Sequence, residues 1–327
     1  MTLLLFFGLL ELIFILTGFS FQPMTHCGSF GDHFEAGDSY YLRDPRRFWV
    51  PIPNSTIQAE WVGKDGAKIS SYSTRGSEPE IPKPDDVFRV LVMGDSGTFG
   101  FGVNDNETWP AYLEECLNTS VQKFAPEGQN SSQSITRRIE VINAGVNGYS
   151  THQAVEHYKI LEPIMDPDLV IMSTGRNDIV ALQMADRDRP VVSPVMLKLA
   201  EWSQYTRLGQ FILYLSQKEQ MTRLVTLPEN DADKTLRVSE EQFNELVDFM
   251  IADNASKDRQ FIFLMRGGHW AQLRKFKDRR NFTVIDLKPL DQLGQIMLFL
   301  EGGHPDKEAL HLVAEYVCEV INMTNSE

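Results

Sequence analysis

Residues 87–100 read VFRVLVMGDSGTFG, the segment of the chain that is most informative about its fold class. Its first seven residues are apolar except for Arg89, which is typical of a short buried strand. Gly94 and Gly100 then flank a turn, and a helical pattern follows around Trp109–Leu117. A buried strand that turns directly into a helix is the beginning of a βαβ unit, so the stretch predicts a parallel sheet covered by helices.

The same alternation continues along the chain. Further strands are predicted at Arg138–Asn143, Asp168–Thr174, Gln260–Met265 and Phe282–Leu287, with helices at about Thr151–Ile164 and Asp306–Ile321. Five strands connected by helical segments predict a three-layer α/β/α fold with a parallel, doubly wound, flavodoxin-like sheet.

Composition excludes several classes of function. The chain has 327 residues, 42% of them hydrophobic, which is enough for a sizeable core. Its 45 acidic and 31 basic side chains give a net charge of −14, so we expect no nucleic-acid partner. The three cysteines, Cys27, Cys116 and Cys318, lack the spacing of a metal site. They permit at most one disulfide, and the sequence leaves its pairing open.

The N-terminus predicts export. Residues 3–19 form an apolar run interrupted only by Glu11, and seventeen residues is the lower limit for a membrane span. Small residues at Gly18 and Ser20 suit a signal-peptidase site, but no basic residue precedes the run. We therefore predict a signal peptide or membrane anchor over residues 1–20, cleaved or retained. The protein is expected to be extracytoplasmic (periplasmic, secreted or membrane-anchored), with a membrane association through residues 3–19 if they are retained.

Two more segments complete the predicted organisation. Residues 21–85 show no sustained periodicity and are interpreted as an irregular N-terminal extension, which leaves 86–327 as the main domain. Residues of about 181–235 form a predicted helical insertion in that domain. Within it, apolar residues recur at helical spacing from Trp202 to Leu215. This apolar stripe is either plain core or the face of a cap over the active site.

The candidate chemistry lies where predicted strands end. Ser96 follows the first strand at a strand-to-helix turn, where a serine is either a nucleophile or a helix N-cap. Gly148 follows the second strand, Asn177 follows the third, and His304 precedes the last helix. Because the carboxyl ends of parallel strands meet at one edge, we expect these four residues to gather there.

Four blocks around these residues resemble a known family. They read GDSGTFG at 94–100, NAGVNGY at 143–149, GRND at 175–178 and EGGHPD at 301–306. In this order they resemble the SGNH, or GDSL-type, serine hydrolases over about residues 85–320, in particular the exported bacterial branch that carries an N-terminal hydrophobic segment.

The resemblance implies a role for each block. Ser96 would be the nucleophile and His304 its general base. The backbone N–H groups of Ser96 and Gly148 and the side-chain amide of Asn177 would form the oxyanion hole. No cofactor or metal is implied.

One position departs from the family pattern. The acid of the catalytic triad is usually an Asp three residues before the histidine, and Glu301 occupies that position here. Glu301 either accepts the imidazole N–H, as Glu does in some other triads, or faces solvent while a backbone carbonyl orients His304. Asp95 and Asp178 are interpreted as structural hydrogen-bond acceptors.

These inferences predict a serine esterase. It would hydrolyse carboxylic (O-acyl) esters of glycans or lipids through an acyl-enzyme intermediate, on a small-molecule, glycan or lipid substrate. One alternative is an O-acyltransferase acting on extracytoplasmic polysaccharide, which product analysis with glycan acceptors would distinguish. The other is a non-catalytic scaffold that binds a glycan or a partner, for which Ser96 and His304 would lie beyond hydrogen-bond reach.

Overall fold

The structure is a computed structural model of the chain, with helices and strands numbered in chain order. It describes residues 2–20, 26–27, 40–124, 137–182, 184–189, 193–195, 198, 202, 205–222, 234–265, 269–288, 290, 299–300 and 303–324. The helices are α1 (Thr2–Leu16), α2 (Ser96–Phe99), α3 (Trp109–Phe124), α4 (Thr151–Met165), α5 (Arg207–Thr222), α6 (Glu240–Ser256), α7 (Trp270–Leu273) and α8 (Lys307–Thr324). The strands are β1 (His26–Cys27), β2 (Tyr41–Asp44), β3 (Phe48–Pro51), β4 (Ser55–Ile57), β5 (Ala67–Ile69), β6 (Val87–Gly94), β7 (Arg138–Gly145), β8 (Leu169–Ser173), β9 (Ala181–Leu182), β10 (Thr235–Leu236), β11 (Gln260–Met265), β12 (Phe282–Asp286), β13 (Phe299–Leu300) and β14 (His304–Pro305).

The chain divides into two compact units. The insertion unit comprises Met1–Val50 and Ala181–Thr235, and the sheet unit comprises Pro51–Val180 and Leu236–Glu327. The first fifty residues thus share a unit with the predicted insertion. The predicted boundaries at residues 20 and 85 stay predictions.

The sheet unit contains a five-stranded sheet in the order β12-β11-β8-β6-β7. All four pairings are parallel. Counted along the chain this is the order 2-1-3-4-5, so the predicted doubly wound, flavodoxin-like sheet is confirmed. The order reverses between β6 and β8, and ligands of such sheets bind at this switch point, beyond the carboxyl ends of the strands.

Helices cover both faces of the sheet. Helices α3 and α8 pack on one face, where Trp109 and Val317 join Val90 and Val92 of β6 in one apolar cluster. Helices α4 and α6 cover the other face. Leu91 and the other alternate residues of β6 are therefore buried as well, which explains why the strand reads as a continuous apolar run.

A disulfide between Cys116 and Cys318 joins α3 to α8. It settles the pairing that the sequence left open. The two cysteines are 202 residues apart and meet because both helices lie on the same face of the sheet.

Residues 51–85 include regular structure that the sequence did not reveal. Strands β4 and β5 pair antiparallel, and Arg75 then forms a bridge to Asn143 of β7. Each of these strands has three residues. Such strands are too short to show an alternating pattern, which is why the extension was predicted to be irregular.

In the insertion unit, α1 contacts α5 through its one charged residue. The Glu11 carboxylate accepts the backbone N–H groups of Arg207 at 2.7 Å and Leu208 at 2.8 Å. These are the first two N–H groups of α5, which have no partner within the helix. Phe14 packs on Phe211 one turn further along, with ring centroids 4.7 Å apart. Glu11 therefore acts as a helix cap inside an otherwise apolar segment.

Many apolar side chains of the insertion unit are exposed. Trp202 and Tyr205 are 77% and 80% exposed, so the interpretation of the apolar stripe as plain core is wrong for these residues. Helical spacing identifies an apolar face but not what covers it. Among the residues described, none of the helices combines the length with the apolar character needed to traverse a bilayer.

Candidate active site

Ser96 opens the short helix α2 directly beyond the carboxyl end of β6. Asp95 caps this helix, since its side chain accepts the Gly97 N–H at 2.9 Å. The helix lies on two glycines, Gly94 of β6 and Gly145 of β7, which face each other across the strands. A Cβ at Gly145 would come within 2.3 Å of the Phe99 nitrogen. Both strand ends therefore need glycine for Ser96 to sit where it does.

The structure brings Ser96 and His304 together. Ser96 Oγ lies 2.8 Å from His304 Nε2, although the residues are 208 positions apart. Both side chains are half-buried, so the pair is accessible from solvent. This geometry allows the imidazole to accept the hydroxyl proton.

The other predicted blocks lie on neighbouring strand ends. Gly148 is buried in the loop after β7 and has a φ of 76°, a conformation that favours glycine. Asn177 follows β8, and its Nδ2 donates to the Tyr149 carbonyl at 3.0 Å. Ser150 then caps α4 by accepting the Gln153 N–H. The asparagine block and the glycine block are thus bonded to each other beside Ser96.

Asp178 binds the first residue of α4 at this edge of the sheet. Its fully buried carboxylate accepts the backbone N–H of Thr151 at 2.7 Å and the Thr151 hydroxyl at 2.6 Å. The same hydroxyl contacts the Thr174 hydroxyl at 2.8 Å. Burial raises the pKa of Asp178 to about 6, against the opposing effect of the Thr151 hydrogen bonds. These contacts agree with the predicted structural role of Asp178.

Sequence comparison identifies the family of this site. The model of the GDSL-like Lipase/Acylhydrolase family matches residues 92–315, well over half of the chain. The chain belongs to this family. The matched range contains all four blocks on which the sequence resemblance rested, so the resemblance to GDSL-type hydrolases is confirmed, while the exported bacterial branch stays a prediction. This GDSL-type protein is accordingly a hydrolase that acts on ester bonds.

Solved structures add a likeness at low identity. The psychrotrophic esterase EstA from Pseudoalteromonas sp. is 13% identical, with a TM-score of 0.43, over 73% of this chain and 99% of its own. The acetyl xylan esterase AlAXEase is 14% identical, with a TM-score of 0.42, over 72% of this chain and 100% of its own. No curated protein matches the sequence.

An aromatic wall beside His304 escaped the sequence analysis. The Phe101 ring stacks on the imidazole, with centroids 4.2 Å apart and planes at 19°. Trp61 stacks in turn on Phe101 at 6.0 Å. Trp61 comes from the segment before the first sheet strand, and nothing in its sequence neighbourhood signals this contact. The wall fixes one face of the imidazole in this GDSL-type hydrolase.

Two buried arginines that support the site were also missed. Arg75 donates to the carbonyls of Phe99, Gly100 and Val103, the turn that follows α2. Arg237 donates to the Gly148 carbonyl at 2.8 Å. Neither arginine belongs to a motif, and both meet the site only through tertiary contacts.

The remaining candidates have other surroundings. Glu301, the predicted triad acid, lies outside the described residues. His269 is buried and bonds through Nε2 to the Val238 carbonyl at 2.9 Å. Within the described ranges, no group of three or more His, Cys, Asp or Glu side chains is placed to hold a metal ion.

Proposed function

We propose that this GDSL-type hydrolase is a serine esterase that cleaves O-acyl esters of glycans or lipids through an acyl-enzyme. The observation that supports it most is the 2.8 Å contact between Ser96 Oγ and His304 Nε2. The non-catalytic alternative predicts a separation beyond hydrogen-bond reach, so this contact counts against it.

The first half of the proposed reaction acylates Ser96. As Ser96 Oγ attacks the carbonyl carbon of the ester, its proton passes to His304 Nε2. The tetrahedral intermediate then collapses, and His304 gives the proton to the leaving alcohol oxygen. In the second half, water attacks the acyl group while His304 takes its proton. The carboxylic acid leaves, and Ser96 recovers its hydrogen.

Three donors would stabilise the negative oxygen of each intermediate: the N–H groups of Ser96 and Gly148 and the side-chain amide of Asn177. In the part of the chain that is described, neither backbone N–H donates to a loop or turn carbonyl. The Asn177 amide carries two hydrogens and gives one to the Tyr149 carbonyl, which leaves the other for substrate. Each donor of an oxyanion hole typically contributes roughly 10²–10³ to kcat.

The aromatic wall suits the charge that His304 gains. When the imidazole accepts the Ser96 proton it becomes a cation, and a cation over the face of an aromatic ring is stabilised by about 0.5–2 kcal/mol. Phe101 offers its face to the imidazole at 4.2 Å. We further propose that Glu301 accepts the Nδ1–H of His304 and so selects the tautomer that leaves Nε2 free to act as a base.

The same proposal places the enzyme outside the cytoplasm. The Cys116–Cys318 disulfide supports this location, since disulfides persist in oxidising compartments. The exposed side chains of α1, Leu9 and Leu12 among them, support a membrane association through residues 3–19. The charge of Glu11, which would oppose such an association, is already bonded to the start of α5.

Labelling with a fluorophosphonate probe tests the chemistry. We expect the full chain to be labelled and to hydrolyse p-nitrophenyl esters, and Ser96→Ala to lose both activities. Ser173→Ala, at the end of the neighbouring strand, is the matched control and should behave as wild type. Folded wild-type protein that neither reacts with the probe nor turns over esters would contradict the proposal. Acyl transfer to an added glycan acceptor, in preference to water, would instead establish the acyltransferase alternative.

Flotation with lipid vesicles tests the membrane association separately. The full chain should float with the vesicles, and the double variant Leu9→Glu/Leu12→Glu should stay in solution. Met323→Glu, which alters an exposed apolar residue of α8, is the control and should float. A full chain that remains in solution would remove the membrane association while leaving the esterase proposal intact.

A further inference from the structure

Arg237 is a fully buried cation at the edge of the sheet that carries the site, with 0% of its surface exposed. Its Nη1 donates to the Gly148 carbonyl at 2.8 Å, and its Nη2 donates to the Gln153 side-chain oxygen. That same oxygen accepts the backbone N–H of Ser150 at 3.2 Å. One guanidinium thus holds the middle of this loop directly at Gly148 and the end of the loop at Ser150 through the Gln153 side chain.

The backbone around Arg237 binds the other half of the predicted oxyanion hole. The Arg237 N–H donates to the Val180 carbonyl at 3.1 Å, and the Val238 N–H donates to the Asp178 carbonyl at 3.2 Å. These acceptors are one and three residues after Asn177. Arg237 therefore connects the loop that carries Gly148 with the loop that carries Asn177.

Gly148 needs such a restraint. Glycine has more backbone freedom than any other residue, so its own chemistry does not fix the direction of its N–H. Anchoring the Gly148 carbonyl and the next carbonyl, that of Tyr149, fixes the peptide units that follow the Gly148 Cα and so limits how far the Gly148 N–H on its other side can turn. Arg237 bonds to the first and Asn177 to the second. A guanidinium suits the task because its planar fork holds two acceptors in fixed directions.

The charge of Arg237 acts on one buried carboxyl group, that of Asp178. Burying an unpaired cation is strongly unfavourable. Asp178 lies close enough for the arginine to lower the pKa of its carboxyl, against the larger opposite effect of burial. Both groups are completely buried. Neither group therefore lies at a solvated surface.

We propose that Arg237 is a positioning residue of the oxyanion hole, which sets the direction of the Gly148 N–H and its place relative to Asn177. This inference rests on the proposed serine esterase. It assigns Arg237 no contact with substrate. Its removal should therefore weaken binding of the transition state and leave binding of the substrate nearly unchanged.

The test compares Arg237→Met and Arg237→Lys with Arg89→Met. Arg89 is the matched control because it is also 0% exposed. Its side chain donates to the carbonyls of Met165 and Glu80 at 2.8 Å each. Arg89 itself lies near the amino end of β6. Rates are divided by the concentration of sites that react with the fluorophosphonate probe at completion, so that unfolded protein does not enter the comparison.

We expect kcat to fall about 10- to 100-fold in Arg237→Met, with KM changed less than threefold, because misplacing a catalytic group by about 1 Å costs up to 10²-fold. Arg237→Lys keeps the charge but has a single nitrogen that lacks the fixed fork for two acceptors, so it should fall between this variant and wild type. A boronic acid inhibitor, whose adduct with the serine is tetrahedral, should lose affinity by the same factor as kcat/KM. Arg89→Met should lower the melting temperature and keep kcat and inhibitor affinity.

Two results would overturn the inference, and they differ. If Arg237→Met and Arg237→Lys both keep kcat and inhibitor affinity within threefold of wild type, Arg237 is merely structural and the esterase proposal stands. If wild-type protein shows neither labelling nor turnover, the esterase proposal fails and the inference fails with it. Should Arg237→Met not fold, Arg237→Lys decides by the same thresholds.

Discussion

Replacing Gly145 by alanine should inactivate the enzyme by moving Ser96. A Cβ at this position would come within 2.3 Å of the Phe99 nitrogen and 2.7 Å of the Thr98 carbonyl carbon. Ordinary contact begins at 3.4 Å, so α2 must move by about 1 Å away from β7. Both contacts are with backbone, which no change of rotamer relieves.

This displacement breaks the central contact of the site. A shift of about 1 Å along the line from His304 Nε2 to Ser96 Oγ would lengthen this distance from 2.8 Å to about 3.8 Å, and a sideways shift would spoil its angle. A misplacement of this size lowers rates about 10²-fold. Overpacking should also destabilise the fold by about 1–3 kcal/mol.

The assay is p-nitrophenyl ester turnover per folded protein, with folding followed by thermal denaturation. Val247→Ile is the control: it adds a methylene to a buried position of α6, a helix that contributes no residue to the site. It should lower stability without lowering kcat. If Gly145→Ala kept kcat within threefold of wild type, the absence of a side chain at Gly145 would not be what places Ser96.

Three further outcomes are expected. Asn177→Ala should lower kcat roughly 10²–10³-fold at nearly constant KM, because it removes one oxyanion donor; an equal fall in a variant of the remote Asn118 would argue against this role. Replacing Cys116 and Cys318 together by serine should destabilise the protein by up to about 5 kcal/mol, since the disulfide closes a loop of 202 residues; an unchanged melting temperature would contradict it. Because burial raises the pKa of Asp178 to about 6, above its value of 3.8 when unfolded, its contribution to stability is full below pH 4 and is lost as the pH rises through 6. Asp178→Asn should therefore remove about 3 kcal/mol of pH dependence between pH 4 and 6, which urea denaturation across that range measures.

The meeting of the predicted site residues follows from the sheet. Ser96, Gly148 and Asn177 each follow a strand, and the strands are neighbours in the order β7-β6-β8. Parallel strands bring their carboxyl ends to one edge of the sheet. Predicting where the strands end was therefore sufficient to predict that these residues lie together. His304 reaches the same edge because it precedes α8, which packs on this sheet.

The residues that support the site had no such signal. Arg75 and Arg237 read as ordinary charged residues in segments without periodicity, where a solvated position is the usual expectation. Their burial is explained by carbonyl groups of the loops at the sheet edge, which need donors once they leave the strands. Only folding creates that need, so the two arginines could not be predicted.

Glu11 of the insertion unit is another residue whose partners the sequence did not predict. The sequence marked it as an isolated charge in an apolar run, and the tertiary structure gives it the first N–H groups of α5 as partners. The exposed Trp202 shows the converse, because helical spacing left it open whether this apolar residue is core or the face of a cap, and in the structure it is largely exposed.

The βαβ alternation, the parallel sheet and the family can be inferred without a structure, because they depend on the period of apolar residues and on short blocks at the strand ends. The structure was needed to show which cysteines pair and that Phe101 and Trp61 pack beside His304. It was also needed to show that Arg75 and Arg237 bind the carbonyls of the loops around the site. These contacts join residues that are far apart in the chain. The groups that meet are a second cysteine, backbone carbonyls or aromatic rings, which occur at many positions of any sequence. The local sequence pattern therefore does not predict these contacts.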